Sequence, residues 1–106
     1  MRSIWISLST GSMLMSAVCL AGTIDIDQVG QKFSQSALAV ARGDLVHFIN
    51  HDDVTHNIGV IDDNDNSIDK GLQKPGESIE QKFDAAGKFM IRCSIHPKMK
   101  MTIAVK

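Results

Sequence analysis

The stretch CSIHPKMKM, residues 93 to 101, places a thiol, an imidazole and two thioethers within nine residues. It follows the strand-like run FMIR, and its last residue, Met101, begins MTIAV, in which larger apolar residues alternate with Thr or Ala. Alternation with a period of two is typical of a strand that is buried on one face. The stretch therefore predicts a strand, a loop with metal-ligating side chains, and a final strand.

From residue 23 onward the chain continues to alternate with a period near two, and Gly, Asn, Asp and Pro interrupt the runs. Such spacing predicts an all-β protein, a small sandwich or barrel of short strands. ARGD (residues 41 to 44) and DAAG (residues 84 to 87) predict tight hairpin or corner turns. The predicted strands are Thr23 to Val29, Ala37 to Ala41, Leu45 to Asn50, His56 to Ile61, Glu77 to Phe83, Lys88 to Cys93 and Met101 to Val105.

Residues 62 to 76 form the one long polar stretch, and their repeated acids raise the question of calcium. A calcium-binding EF-hand loop that starts at Asp63 requires Gly at position 68 and Glu at position 74, where Ile68 and Lys74 stand. The stretch is therefore predicted to be a solvated loop.

The first residues differ from the rest, because Arg2 is the only charged residue before Asp25 and an apolar run lies between them. A basic start, an apolar centre and a small-residue end predict a secretory signal peptide, residues 1 to 21, followed by one domain, residues 22 to 106. Cleavage after Ala21 implies export to the periplasm, with no stable membrane insertion of the mature protein. The alternative is an uncleaved membrane anchor.

Composition limits the functions further. The chain has 106 residues, 43% of them hydrophobic, and 11 basic against 12 acidic residues, which fits one globular domain and carries no electrostatic signature of nucleic-acid binding. If Cys19 leaves with the signal peptide, Cys93 is the single cysteine of an exported protein. A lone thiol cannot form a disulfide within the chain, so bound metal is one way to occupy it.

A thiolate beside an imidazole suits zinc or copper. One thiolate, two imidazoles and a weak thioether form the ligand set of a blue-copper electron-transfer site, so Cys93 and His96 need a second histidine. His47 lies inside a strand and His51 in a polar turn, whereas His56 begins a strand after that turn. We therefore expect His56 to point to the same end of the sandwich as the loop.

VHFINHDDVTHN and FDAAGKFMIRCSIHPKM resemble the two ligand segments of the cupredoxins, the blue copper proteins, most closely those of the amicyanin type, with the pseudoazurin and plastocyanin types as further relatives. The resemblance covers roughly residues 37 to 106. It implies a Greek-key sandwich with one type 1 copper ion, held by His56, Cys93, His96 and Met99. It also implies that Asn50 links the two ligand loops near Ser94.

The two methionines are both within reach by spacing, and two arguments favour Met99. The short loop HPKM fits the amicyanin type, whereas relatives with longer loops would select Met101. In the final strand, Met101 shares a face with Ile103 and Val105, which predicts that it packs in the core.

The resemblance implies a carrier of single electrons between Cu(I) and Cu(II), not an enzyme, and a monomer with transient redox partners such as a dehydrogenase or a cytochrome. The alternative is a copper-trafficking or storage module with the same ligands. His96 would lie at the surface within an apolar docking patch of Ile95, Pro97 and Met99. Lys98 and Lys100 would form its rim, and Lys98 departs from the aromatic residue of the amicyanin type.

Overall fold

A computed structural model describes residues 21–106, so the predicted signal peptide lies almost wholly outside the described residues. The described chain forms eight strands and is all-β, as predicted. The strands are β1 (Thr23–Gln28), β2 (Ala37–Val40), β3 (Asp44–Asn50), β4 (His56–Ile61), β5 (Ser67–Gln73), β6 (Ser78–Phe83), β7 (Gly87–Arg92) and β8 (Lys100–Val105). Within residues 21–106, no helix is long and apolar enough to cross a membrane.

The strands form two sheets that pack face to face as a sandwich. One sheet has the order β1-β3-β6, and the other has the order β2-β8-β7-β4-β5. β1 pairs with β3, and β2 with β8, in parallel, while the other pairs are antiparallel. The core lies between the sheets and contains Ile26, Val46, Phe48, Ile58, Ile91, Met101 and Ile103, among others.

The alternation of β8 shows why the final strand could be predicted. Met101, Ile103 and Val105 are buried, and Thr102 between them is exposed. Side chains point alternately to the two faces of a strand, so one face of β8 packs in the core. The prediction that Met101 is a core residue is confirmed.

The prediction of a solvated loop at residues 62 to 76 is wrong in its centre, because β5 (Ser67–Gln73) forms the edge of the larger sheet. Five of its seven residues are exposed, and only Gln73 is fully buried. An edge strand without a buried apolar face lacks the alternation that identifies strands in a sequence. All seven predicted strands are present, and no end differs from its prediction by more than one residue.

The two predicted tight connections are corner turns, because each joins strands of different sheets. In the first, Gly43 has a φ of 92°, a conformation that glycine adopts without strain. Asp44 accepts hydrogen bonds from the backbone N–H of Gly22 and of Ala41, each at 2.9 Å. These two bonds hold the pKa of Asp44 below its usual value, despite the opposing effect of burial.

The pairing of β4 with β7 positions the residues of interest. The two strands are antiparallel, and Gly59 lies opposite Arg92. The first residue of β4, His56, and the residue after β7, Cys93, therefore lie at the same end of the larger sheet.

Candidate metal centre

Three predicted ligands converge at this end of the sandwich. Nδ1 of His56 and Nδ1 of His96 lie 3.1 Å apart, and each lies 3.8 Å from Sγ of Cys93. His56 and Cys93 are fully buried, and His96 is partly buried. Among the described residues, these three form the one group of at least three His, Cys, Asp or Glu side chains with ligand atoms close enough to share a metal ion.

The triangle of ligand atoms has the size that a metal ion requires. A point equidistant from the three atoms lies about 2.1 Å from each, and nitrogen and sulfur ligands bind metal ions such as zinc at about 2.0–2.3 Å. One thiolate and two imidazoles in a trigonal arrangement are the donor set of a blue-copper site. His56, Cys93 and His96 would therefore fit a copper ion, which would supply a one-electron redox centre.

Asp52 fixes the orientation of the His56 ring. Its Oδ2 lies 2.7 Å from Nε2 of His56, so Nε2–H donates to the carboxylate and Nδ1 is left free to face Cys93. Burial raises the pKa of Asp52, but the hydrogen bonds from His56 and from the backbone N–H of Gln31 and Gly30 outweigh it and hold this pKa below its usual value. The carboxylate is therefore ionised at neutral pH and stabilises a partial positive charge on the ring.

Hydrogen bonds hold Cys93 at its sulfur and at its backbone. The backbone N–H of Asn57 donates to Sγ at 3.4 Å, and the backbone N–H of Cys93 donates to the carbonyl of Met99 at 3.1 Å. Hydrogen bonds to a thiolate stabilise its negative charge and so tune a bound metal. Cys93 is thus tied to both ligand-bearing segments.

The predicted link through Asn50 is wrong, because Asn57 makes it. Oδ1 of Asn57 accepts hydrogen bonds from the backbone N–H of Ser94 at 2.7 Å and from its hydroxyl at 3.1 Å. Asn50 instead donates to the carbonyls of Val54 and Gln73, and so shapes the turn before His56. The position directly after each ligand, Asn57 after His56 and Ser94 after Cys93, is the sequence signal that could have indicated this pair.

The backbone brings Met99 beside Cys93. The register of β7 with β8 pairs Ile91 with Met101 and Arg92 with Lys100, so the next opposed pair is Cys93 and Met99, which the hydrogen bond between them confirms. The Cβ atoms of directly opposed residues are about 4.5–5.5 Å apart. Met101 lies opposite Ile91, two residues farther along the strand.

A turn in the loop completes this arrangement. The backbone N–H of Met99 donates to the carbonyl of His96 at 2.8 Å, which closes the segment between them. Met99 is only 1% exposed, so the expectation that it belongs to the surface patch is wrong. Its side chain lies inside the protein because the turn directs it there, whereas Ile95 is 46% exposed.

The other two histidines lie away from this group, as expected. His47 contacts Asp25 at 3.3 Å and Ser78 at 3.0 Å across the smaller sheet. His51 contacts Asp27 at 2.9 Å, and its side chain is half exposed. Neither belongs to the three-residue group.

An open groove of about 460 Å³ borders His96 at the surface. One wall is the segment 30–32, and the other is the loop 95–99. Pro97 and Lys98 are exposed there, and Lys32 extends the basic charge onto the opposite wall. We call this feature the His96 groove.

Comparisons with known proteins agree with this geometry. Residues 20–106 match the family described as copper binding proteins, plastocyanin/azurin family. The chain is also 31% identical over 65 residues to the methylamine utilization protein MauL of Methylophilus methylotrophus, a match that covers 59% of this chain but only 37% of that protein.

Solved structures of amicyanin share the fold. The Cu(I) form of a methionine-to-alanine mutant is 24% identical with a TM-score of 0.74, and the match covers 83% of this chain and 86% of that one. A reduced tryptophan-to-tyrosine mutant is also 24% identical, with a TM-score of 0.73 and the same coverage.

Proposed function

The chain belongs to the plastocyanin/azurin family of copper-binding proteins, and we propose that it carries single electrons between redox partners in the periplasm. Its His-Cys-His group is a type 1 copper site. Proteins of this family are electron carriers rather than enzymes. The proposal assigns His56, Cys93 and His96 as the strong ligands and Met99 as the weak axial ligand.

The observation that carries the proposal is the triangle of two Nδ1 atoms and one Sγ, with sides of 3.1, 3.8 and 3.8 Å. Bound copper supplies a centre that alternates between Cu(I) and Cu(II). The protein's task is to keep the ligands in place in both states, because movement of the ligands slows electron transfer.

Hydrogen bonds supply that rigidity. Asp52 holds the His56 ring, Asn57 holds the segment after Cys93, and the turn from His96 to Met99 fixes the end of the loop. Side chains whose orientations are set by such contacts do not reorganise freely. The site is therefore preorganised for electron transfer.

The ring of His96 is the route to the surface. His56 and Cys93 are fully buried, whereas His96 is partly exposed and borders the groove. An electron that passes through this ring travels the shortest distance from solvent to the centre. We assign His96 as both a ligand and the exit for the electron.

The surroundings of His96 suit a short-lived partner. Ile95 and Pro97 supply a small apolar area, and Lys32, Lys98 and Lys100 place positive charge around it. Weak redox complexes bury little area, and their charges mainly set the association rate. The partner that fits is a redox protein with an acidic rim, such as a dehydrogenase or a cytochrome. The chain itself is expected to act as a monomer.

Burial favours an electron carrier over a copper-trafficking module. His56, Cys93 and Met99 are each at most 1% exposed, so an acceptor protein cannot reach them without local opening. A trafficking site requires accessible ligands for exchange between two proteins.

The periplasmic location is proposed from the apolar segment of residues 1 to 21, which has the pattern of a signal peptide.

The test is a reductive titration of the copper-loaded protein, residues 22 to 106, in the presence of a Cu(I) chelator. An electron carrier takes up one electron per copper, loses its visible absorption, regains it on oxidation, and keeps its copper through repeated cycles. Transfer of the copper to the chelator during the first reduction would contradict the proposal and favour trafficking.

A further inference from the structure

The carboxylate of Asp52 contacts two parts of the protein that are distant in sequence. Oδ2 accepts from Nε2 of His56 at 2.7 Å and from the backbone N–H of Gln31 at 2.8 Å. Oδ1 accepts from the backbone N–H of Gly30 at 2.6 Å. The side chain is only 12% exposed, so these bonds are shielded from water.

The backbone at the receiving segment is unusual. Gly30 has a φ of 62° and Gln31 a φ of 57°, so two consecutive residues are left-handed. Gln31 has a Cβ atom, and residues other than glycine rarely adopt this conformation. The backbone N–H groups of Gly30 and Gln31 nevertheless converge on one anion, because both donate to the Asp52 carboxylate.

The same segment forms one wall of the His96 groove. Gly30, Gln31 and Lys32 lie on one side, and the loop 95–99 lies on the other. The Asp52 carboxylate therefore contacts Nε2 of His56, one proposed metal ligand. It also fixes the 30–32 wall of the groove, which faces His96, another proposed ligand.

We propose that Asp52 is a positioning residue that joins the metal centre to the docking surface, so that the His56 ring and the 30–32 wall form one rigid unit. The proposal rests on the proposed function, because it assumes that His56 binds copper. The carboxylate orients the ring and makes it a stronger donor, as carboxylates beside metal-bound histidines do. Its negative charge also stabilises Cu(II) relative to Cu(I).

The test compares Asp52→Asn with Asp53→Asn. Both variants remove one negative charge, but Asp53 is exposed, so it serves as the matched control. An amide of the same shape has one acceptor oxygen where the carboxylate has two, so it cannot accept all three of these hydrogen bonds. For Asp52→Asn we expect copper affinity, measured by chelator competition, to fall about 10–100-fold, as for other partners of metal-bound histidines.

Two further readouts separate positioning from simple loop support. In Asp52→Asn the reduction potential rises relative to both the wild type and Asp53→Asn, and the amides of Gly30 and Gln31 exchange faster in the copper-free protein. Faster exchange with unchanged copper affinity and potential would overturn the proposal, because Asp52 would then support the loop alone. Equal changes in both variants would also overturn it, because charge alone would explain them.

If Asp52→Asn does not fold, a measurement on the wild type decides. Nitrogen-15 spectra of the copper-free protein report which ring nitrogen of His56 carries the proton. We expect Nε2–H, which donates to Asp52, and a proton on Nδ1 alone would overturn the proposal. Failure of the proposed function would be seen separately, as a wild type that binds no copper.

Discussion

Met99 and Cys93 face each other at the point where β7 and β8 separate, which makes the methionine side chain a neighbour of the thiolate. Met101, two residues on, is equally buried but lies opposite Ile91 in the core. Because Met99 and Met101 are similarly buried but have different neighbours, the same substitution can be compared at the two positions.

Met99→Leu is expected to shift the reduction potential and the visible spectrum with little change in stability, because an axial thioether is a weak ligand that tunes the site. Voltammetry and absorption spectra of the copper protein measure both effects. Met101→Leu is the control and should cost under about 1.5 kcal/mol with an unchanged spectrum. A spectral change in Met101→Leu and not in Met99→Leu would reverse the assignment.

Asn57→Ala removes the side-chain acceptor of the Ser94 N–H and hydroxyl. Leaving part-buried donors without a partner typically costs about 1–3 kcal/mol, so urea unfolding of the copper-free protein should show a loss of that size. Asn64→Ala in an exposed turn is the control and should stay within about 0.5 kcal/mol of the wild type. Equal stability of Asn57→Ala and the wild type would show that the Asn57–Ser94 hydrogen bonds do not stabilise the fold.

The convergence of Cys93, His96 and His56 could be predicted from the sequence. Cys93 and His96 are only three residues apart, and His56 follows a turn signal. The sequence did not predict the Asn57 pair or the burial of Met99. The burial of Met99 depends on the conformation of the turn from His96 to Met99, which the residue pattern alone does not define. The Asn57 pair depends on hydrogen bonds that form only when the two ligand segments meet, and a single sequence does not record such contacts. The Asp52 bonds to segment 30–31 were missed for the same reason.

At the scale of the elements, strands with one buried face could be predicted and the edge strand could not. β8 alternates strictly, whereas β5 exposes Ile68 and Leu72 together with polar residues and so resembles a loop in sequence. The corners that join the two sheets could be located from their turn residues. The hydrogen bonds that hold them, such as those of Asp44, required the structure.

Asp44 gives a prediction for the first corner. Its pKa lies below the usual value of 3.8 because Gly22 and Ala41 donate to its carboxylate. A lowered pKa in the folded state contributes stability that is present above pH 3.8 and is lost as pH falls through the folded pKa. In Asp44→Asn, the stability of the copper-free protein should therefore fall less steeply below pH 3.8 than in the wild type.

Urea unfolding at several values between about pH 2 and pH 6, the range over which carboxylates titrate, measures how steeply the free energy of unfolding changes with pH. Asp84→Asn, an exposed carboxylate of the second corner, is the control. Identical slopes for Asp44→Asn and the wild type would show that these hydrogen bonds do not stabilise the fold.

At the scale of the molecule, the sandwich places its buried metal centre at one end and a basic groove directly beside it. Lys98 is exposed at that groove, whereas Lys88 lies near the start of β7, at the opposite end of that strand from Cys93. Charge reversal at each of these two lysines therefore shows whether partner association depends on the position of the charge or only on the net charge.

Lys98→Glu is expected to slow association with an acidic redox partner and to weaken the salt dependence of the rate, because rim charges act mainly on the encounter. Stopped-flow reduction at several ionic strengths measures this effect. The visible spectrum should stay the same, and Lys88→Glu should have a much smaller effect on the rate. An altered spectrum with unchanged kinetics would contradict the assigned role of Lys98.

The visible spectrum of the protein with one equivalent of Cu(II) tests whether one copper ion binds between His56, Cys93 and His96. We expect an intense blue colour, which arises from charge transfer between the Cys93 thiolate and the metal, and its complete loss in Cys93→Ser. A wild type that binds Cu(II) and stays pale, or a Cys93→Ser variant that remains blue, would contradict the claim.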